Sequence, residues 1–278
     1  MRFLLEAIRR NGLAAAAAVV VLVAVVSGCG KANLVRGGAH EAELAAGGAH
    51  RSPGLAEPPA QYPPAGRGSA HVPVPVPLPL TAERADAFAA AVALTSADVP
   101  GASVAKRTRT PRAEEQEAAG CGARGAVAVG GGRSQELQRG RGLDRESVSS
   151  GVDVLTDAAA VQSDLSYAAS RAGLACYAKV LGRTLRREES ANARLLGVRV
   201  GHLGLDVGTA RASGIRITAR VGIPGSGVQV RLFVDALSLA YGPAELDLYT
   251  TSFVQPVAEK TQNELLTLLQ ERARLHEL

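Results

Sequence analysis

Three cysteines, Cys29, Cys121 and Cys176, carry the most readily defined chemistry of this chain. A cysteine thiol can carry a lipid, join a second thiol in a disulfide, or attack a substrate when a nearby base removes its proton. Cys29 directly follows an apolar stretch and two small residues, whereas Cys121 and Cys176 lie far along the chain. The three positions therefore predict at least two different roles.

The segment before Cys29 has the pattern of an export signal. A positively charged leader precedes the apolar run 13–26, which is shorter than the ~20 residues that a helix needs to cross a bilayer. Small residues then separate this run from the cysteine. A charged leader, a short apolar run and small residues together predict a secretory signal peptide over residues 1–28.

Val26-Ser27-Gly28-Cys29 resembles the lipobox of bacterial lipoproteins, in which an aliphatic residue and two small residues precede the cysteine. The resemblance implies that the thiol of Cys29 carries fatty-acyl chains such as palmitate, and that cleavage makes Cys29 the first residue. Two acyl chains supply the double hydrophobic signal that stable anchoring requires. We therefore expect a lipid-anchored protein on the extracytoplasmic face of the cell membrane. An uncleaved signal anchor with an incidental cysteine is the alternative, and it gives the same outward placement.

Cys121 and Cys176 form an even pair once Cys29 carries a lipid. In an oxidising exterior such a pair predicts a disulfide. The bond would close a loop of about 55 residues, which corresponds to about 4 kcal/mol in the chain-entropy model. A catalytic cysteine is the alternative, but it needs a base, and only His202 and His276 lie in the C-terminal two thirds of the chain. We favour the disulfide.

Residues 29–80 have the composition of a disordered tether rather than of a folded domain. Gly and Ala dominate the first part, and alternating prolines in 71–80 predict a stiff polyproline-II end of about 30 Å. His40, His50 and His71 are spread through this tether without ligand geometry, so no metal site is predicted. The chain is therefore expected to divide into a signal peptide, a tether and one domain over residues 81–278.

No motif for catalysis or cofactor binding stands out in the predicted domain. The glycines at 130–132 lack the spacing and the lysine of a phosphate-binding loop. Ser226 lies in a predicted hairpin turn rather than in a nucleophile elbow. Asp98, before Pro-Gly, is expected to form a turn, and His202 with Asp206 is expected to form a surface pair. We therefore predict no catalytic residue and no cofactor.

Charge and composition exclude further classes of function. The net charge is +5, but basic and acidic residues are mixed along the chain, and there are no Trp, five Tyr and four Phe. Nucleic-acid binding requires a concentrated basic face with aromatic or groove-fitting elements, so it is not predicted. The abundance of Ala, Gly and Arg indicates a high-GC, actinobacterial genome.

The first half of the predicted domain mixes helices and strands. Thr81 is expected to cap a helix over 83–94. A Gly-rich loop is expected over 123–142, and one long helix is expected from Thr156 or Asp157 to Arg187, with a bend at Gly173. The remaining expected elements are a turn at 95–101, a strand at 102–107, a helix at 112–121 and a strand at 147–155.

The C-terminal part of the chain has the clearest pattern. Apolar residues alternate over 215–223 and 228–234 around Pro-Gly-Ser-Gly, which predicts a hairpin with one buried face. The phase then shifts after Asp235, which predicts a bulge or a bend. A strand carrying Leu246 and Leu248, a strand near 196–205 and a helix after Pro256 complete the pattern. These elements predict an α+β fold, with a curved antiparallel sheet packed against helices.

Leu94-Thr-Ser-Ala-Asp-Val-Pro-Gly101 resembles a segment of actinobacterial cell-envelope lipoproteins and of the sensor-like extracellular domains of mycobacterial serine/threonine kinases. Ser149-Ser-Gly-Val152, Cys176 and Tyr241-Gly-Pro-Ala-Glu245 are similar to those of an uncharacterised group of such lipoproteins. The resemblance implies a curved sheet packed with helices and stabilised by a disulfide. It brings no catalytic residues.

These observations together favour a lipid-anchored envelope protein with a non-enzymatic domain. The expected partners are the membrane, through the lipid on Cys29, and an unknown protein or small apolar ligand. A lipid or glycolipid carrier with an apolar cavity is one alternative. An envelope hydrolase is the other, and it would require His202 beside an acid and a nucleophile.

Overall fold

The computed structural model of the chain describes residues 79–105, 121, 127–187, 189, 193–205 and 211–278. The expected signal peptide, Cys29, almost all of the tether and Asp206 lie outside the described residues. The helix expected over 112–121 also lies outside them, except for Cys121.

Within the described ranges the chain forms one eight-stranded antiparallel sheet and four α-helices. The α+β class expected from the sequence is therefore confirmed. No helix in these ranges is long and apolar enough to span a membrane. In chain order the elements are α1 (Ala82–Val92), β1 (Ser103–Val104), β2 (Ala128–Arg133), β3 (Leu137–Arg139), β4 (Glu146–Leu155), α2 (Ala158–Ala168), α3 (Arg171–Arg187), β5 (Arg194–His202), β6 (Ala212–Gly222), β7 (Gln229–Tyr241), β8 (Ala244–Phe253) and α4 (Glu259–Leu275).

The strand order is β1-β3-β4-β8-β7-β6-β5, and β2 also pairs with β4. Strands β5 to β8 follow one another as hairpins, as the alternation around the Pro-Gly-Ser-Gly turn predicts. The pairing that spans the longest stretch of chain is that of β4 with β8, since α2, α3 and three strands separate them. The β4–β8 pair therefore joins the two halves of the sheet.

One face of the sheet, here called the first face, packs against α1 and α4. Thr81 caps α1, and the buried side chains of this helix, Ala85, Phe88, Ala89 and Val92, recur at helical spacing. They belong to one core with apolar side chains of β4 and β8. Each fully buried Leu or Val contributes roughly 1.5–3 kcal/mol relative to an exposed one. The remaining members of this core include Val148, Val152, Leu237, Leu239, Leu246, Leu248, Leu265, Leu266 and Leu269.

The opposite side, here called the second face, packs against α2 and α3. Leu181 and Leu185 of α3 contact the apolar side chains of β6 and β7, and Val161 and Leu165 of α2 contact Leu155. The central strands are therefore buried on both sides. For this reason β8 is buried at nine of its ten positions.

The prediction of a bulge after Asp235 is wrong. Strand β7 pairs with both neighbours without a register shift. Leu232 and Val234 face the second core, whereas Leu237 and Leu239 face the first. The apolar phase changes because different helices cover the two halves of one regular strand, and not because the backbone is irregular.

The prediction of a Gly-rich loop over 123–142 is also wrong, since this segment contains β2 and β3. A Cβ atom on Gly130 would lie 2.7 Å from Asp86 Oδ1 and 2.8 Å from Ala85 Cβ of α1. The amide of Gly131 donates to Asp86 Oδ1 at 2.8 Å. The glycines therefore allow α1 to pack directly on the backbone of an edge strand.

The long helix expected up to Arg187 is two helices, α2 and α3. Asp157 caps the first, as one of the two candidates predicted. At the junction, Ser170 Oγ donates to the carbonyl of Tyr167 at 2.6 Å and accepts from the amide of Gly173 at 3.1 Å. A Cβ on Gly173 would lie 2.2 Å from the Tyr167 carbonyl oxygen, so this glycine permits the break.

Asp98 forms the turn expected for it and also holds the C-terminal helix. Its carboxylate accepts from the Thr95 amide at 2.6 Å and from Arg272 Nη2 at 2.6 Å. Arg272 Nη1 also donates to the Ala93 carbonyl at 2.8 Å. Burial opposes ionisation of Asp98, but the hydrogen bonds from Thr95 and Arg272 outweigh it and lower the pKa of this carboxyl.

We predict that Asp98→Asn lowers the free energy of unfolding by about 1–3 kcal/mol, because Arg272 loses its charged partner. The pKa of Asp98 is lowered in the folded state, so its contribution is present at neutral pH. That contribution disappears as the pH falls below 3.8 through the lowered pKa. Urea denaturation at pH 7 and pH 3 measures both effects. The exposed Asp144→Asn is the control, and equal losses in the two variants would contradict the assignment.

Candidate functional site

The disulfide expected between Cys121 and Cys176 is present, with a Cα–Cα distance of 5.6 Å. Cys121 is fully buried and packs with Val180 and Tyr177 of α3. Both sulfurs are bonded to each other, so neither is available as a thiolate nucleophile. The structure therefore supports the disulfide over the catalytic cysteine. Cys29 lies outside the described residues, and its acylation stays a prediction.

The other residues considered for chemistry are not brought together. His202 is exposed at the end of β5, and His276 is exposed just after α4. The partner expected for His202, Asp206, lies outside the described residues. Ser226 lies in the β6–β7 turn, where its hydroxyl donates to the Ile223 carbonyl at 2.8 Å. This placement is the one that the turn motif predicts.

A different group of polar side chains lies together on the second face. The sheet register aligns Arg133 of β2, Gly151 of β4, Asp247 of β8 and Ser238 of β7, and Ser213 of β6 continues the line. Asp153 and Glu245 are directly opposite each other in the neighbouring register position. We call six of these residues the polar cluster: Arg133, Asp153, Ser213, Ser238, Glu245 and Asp247.

The polar cluster interrupts a face that is otherwise apolar. On one side of it α2 covers Leu155, and on the other side Val234 and Tyr249 belong to the α3 core. Asp247 is 3% exposed and Glu245 is 8% exposed. Burial of ionised carboxylates is costly unless they are paired or protonated. These positions are therefore difficult to explain by the stability of the sheet alone.

Direct contacts satisfy part of the polar cluster. Ser238 Oγ donates to Asp247 Oδ1 at 2.5 Å, and Arg133 Nη2 approaches Asp153 Oδ2 at 3.4 Å. The Arg133 guanidinium lies 5.3 Å from the ring centroid of Tyr249. A Cβ on Gly151 would lie 2.2 Å from Arg133 Nη1, so the missing side chain at position 151 gives the guanidinium its place beside Asp247.

Two carboxyl groups of the polar cluster, those of Asp247 and Glu245, hold protons more strongly than exposed carboxyl groups do. Burial, together with the charge of Asp153, raises the pKa of Asp247 to about 7, although Arg133 and the hydroxyl of Ser238 oppose the shift. Burial and the nearby carboxylates of Asp247 and Asp164 also raise the pKa of Glu245 well above its ordinary value. The cluster therefore exchanges a proton near neutral pH.

Two donors at the ends of the line have no hydrogen-bond partner among the residues that the structure describes. They are Arg133 Nη1 and Ser213 Oγ, and both atoms are buried. The described residues contain no group of His, Cys, Asp and Glu side chains that could hold a metal ion. Chemically, the cluster combines carboxyl acceptors that can be neutral or charged with two unused donors. Such an arrangement can bind a polar group and couple its binding to a proton.

Sequence reasoning missed the polar cluster for an identifiable reason. Glu245, Asp247 and Tyr249 alternate with Leu246 and Leu248, and this pattern is typical of a strand with one face in water. The covering of the second face by α2 and α3 makes the same residues buried. The one local signal was Gly151 inside a strand, which indicates a close approach of another group.

Comparisons with known proteins place this chain only distantly. No protein-family model matches it, and no curated protein matches it. A solved structure that is similar is the extracellular domain of PknH from Mycobacterium tuberculosis, with 11% sequence identity and a TM-score of 0.36. The match covers 71% of this chain and 98% of that domain. At this level the likeness is a distant structural similarity.

We predict that the stability of the domain falls as the pH rises from about 4 to 7. Asp247 has a folded pKa of about 7 against 3.8 for an ordinary Asp, so the folded state binds the proton more strongly in this window. The slope is up to about 1.4 kcal/mol per pH unit for one proton. Asp247→Asn mimics the protonated carboxyl and should flatten the slope, as measured by chemical denaturation at several pH values. The exposed Glu271→Gln is the control, and a slope unchanged in Asp247→Asn would contradict the assignment.

Proposed function

We propose that this chain is an exported lipoprotein, held by a lipid on Cys29 at the extracytoplasmic face of the cell membrane. We further propose that its α+β domain binds a ligand or partner without transforming it, through the polar cluster. The tether over 29–80 would hold this domain away from the lipid attachment.

The observation that carries the proposed location is the disulfide between Cys121 and Cys176. Structural disulfides persist in oxidising compartments and are rare in the reducing cytosol. The bond also uses two of the three cysteines. The remaining one, Cys29, lies just C-terminal to the apolar run 13–26. Disulfide and leader are independent features, and both favour export.

The chemistry of the polar cluster favours binding over catalysis. The hydroxyl of Ser238 donates a hydrogen bond to Asp247. The two histidines that could act as a base, His202 and His276, lie outside the polar cluster. A nucleophile and a base oriented by a third group are therefore not assembled among the described residues. The unused donors of Arg133 and Ser213 favour a polar ligand group as the complement of this cluster.

The same cluster disfavours the alternative of a lipid carrier. A carrier needs a continuous apolar wall along the acyl chain, because burial of unpaired polar groups against hydrocarbon is costly. Here Asp247, Glu245 and Arg133 occupy the middle of the second face. The opposite face is occupied by the side chains of α1 and α4.

The anchor predicts incorporation of an alkyne-tagged palmitate into the protein in growing cells. Cys29→Ala should abolish the label, because no other cysteine stands at the cleavage position just after the apolar leader. The matched control is Cys121→Ser with Cys176→Ser, which removes the disulfide and should leave labelling intact. Label retained by the Cys29→Ala protein would overturn the anchor.

The binding role predicts a non-covalent small molecule on the chain when it is released from membranes in mild detergent. Native mass spectrometry should detect this added mass on the wild type and not on Arg133→Lys, because lysine lacks the planar, paired N–H donors of a guanidinium group. Arg139→Lys is the control, since Arg139 pairs with Glu146 outside the polar cluster. An equal mass on wild type and Arg133→Lys would exclude the cluster as the binding site.

A further inference from the structure

A second polar surface lies on the first face of the sheet, beyond the part that α4 covers. At the boundary, Asp235 accepts from Arg216 Nε at 2.7 Å and from Gln262 Nε2 of α4 at 2.6 Å. Arg220 follows Arg216 by four positions on β6, and Arg231 precedes Asp235 by four positions on β7. Their side chains therefore lie on the same face as the Arg216–Asp235 pair.

Strand β5 adds a third arginine to this surface. Arg199 is opposite Thr218, which lies two residues from Arg220 on β6 and therefore on the same face of the sheet. Leu196, at the irregularity of β5, lies there too, since a Cβ on Gly222 would come within 3.1 Å of its Cδ1 atom. We call the four exposed residues Arg199, Arg220, Arg231 and Leu196 the arginine face.

The register places like charges directly against each other on the arginine face. Arg220 and Arg231 are opposite residues of neighbouring strands, about 5 Å apart at their Cβ atoms. Like charges in this position destabilise a sheet. Arg216 on the same strand is paired with Asp235, whereas Arg199, Arg220 and Arg231 have no ion pair with any described residue. The repulsion is therefore not relieved by carboxylates within the described chain.

Neighbouring groups keep these guanidinium groups in place. The Arg231 guanidinium lies 5.7 Å from the ring centroid of Phe233, on which it can stack. The Arg220 side chain extends over Gly197, the residue opposite it on β5, since a Cβ there would lie at the van der Waals distance of 3.5 Å from Arg220 Nη2. Two of the three guanidinium groups are thus positioned by the sheet, and they present their donors to solvent.

Exposed apolar side chains lie beside the arginines. Leu196 is 42% exposed, and Val254, whose amide donates to the Arg231 carbonyl at 2.9 Å, is 45% exposed. Guanidinium groups bind phosphate through paired hydrogen bonds, and adjacent apolar side chains can enter the interfacial region of a bilayer. We propose that the arginine face binds the phosphate groups of anionic phospholipids in the membrane that carries the anchor.

This inference rests on the proposed anchor, because the anchor brings the face close to its ligand. The tether expected over 29–80 is Gly- and Ala-rich before its stiff end at 71–80, and a flexible segment of about 40 residues would let the domain return to the membrane surface. Attachment makes the contact intramolecular, so weak individual contacts suffice. Each arginine near an anionic surface contributes about a fivefold increase in binding.

The test uses a single tryptophan as a reporter, because the chain contains none. Leu196→Trp places this reporter on the arginine face of the full chain, purified with its anchor and incorporated into vesicles. The vesicles contain phosphatidylcholine alone, or with about a third phosphatidylglycerol, and their acyl chains are brominated to quench tryptophan that enters the bilayer. We expect quenching in anionic vesicles and little in neutral ones.

Adding Arg220→Gln and Arg231→Gln to the reporter should weaken the anionic contact by about 25-fold and abolish most of the quenching. The control is Arg171→Gln with Arg274→Gln, which removes the same charge at exposed positions outside the face. Cooperative thermal unfolding without a loss of melting temperature establishes that both double variants fold. Equal quenching in neutral and anionic vesicles, or quenching retained in Arg220→Gln/Arg231→Gln, would overturn the proposal.

Two further readouts separate this inference from its premise. Flotation with neutral vesicles reports the anchor alone. If the chain does not float with neutral vesicles, the proposal of a lipid anchor is wrong. Flotation with anionic vesicles that depends on Arg220 and Arg231 would still support phospholipid binding by the arginine face. A tryptophan response to single-stranded DNA without quenching by lipid would overturn the membrane assignment and favour a nucleic-acid partner.

Discussion

The covering of both faces of the sheet is the constraint on which the rest of the structure depends. Helices α1 and α4 bury one side of the central strands, and α2 and α3 bury the other. A strand in this position has no solvent-facing side, so each polar residue on it must find a partner inside the protein. The hydrogen bond of Ser238 to Asp247 and the raised pKa of Glu245 are both consequences of this arrangement.

Local patterns predicted those elements whose neighbours are close in sequence. The hairpin of β6 and β7, the cap of α1 and the turn at Asp98 follow from alternation, capping and turn chemistry over a few residues. Strand β2 was missed because its glycines carry no apolar pattern. Glycine is required there because α1, which is distant in the chain, packs directly on the backbone of this strand. The phase change in β7 was misinterpreted because its cause, a change of covering helix, is also non-local.

The two polar surfaces show the same limit for functional residues. Glu245 and Asp247 follow the alternation of a half-exposed strand, and their burial depends on helices encoded elsewhere in the chain. The arginines of the arginine face are distributed over three strands among other charges, so the sequence does not indicate a basic face. The antiparallel register brings Arg220 and Arg231 together. In contrast, the disulfide could be predicted, because cysteine count and compartment constrain it without reference to geometry.

The position of β4 beside β8 has a consequence for how the domain acquires its structure. Val154 pairs with Ala244, so the central ladder cannot form until the chain is available at least as far as Ala244. The meander β5 to β8 contains mainly local contacts and should form first, whereas closure of the long β4–β8 loop is entropically slower. Until then β8 has an open hydrogen-bonding edge, which is prone to intermolecular pairing. Early formation of the Cys121–Cys176 bond would limit this exposure by restricting the unfolded chain.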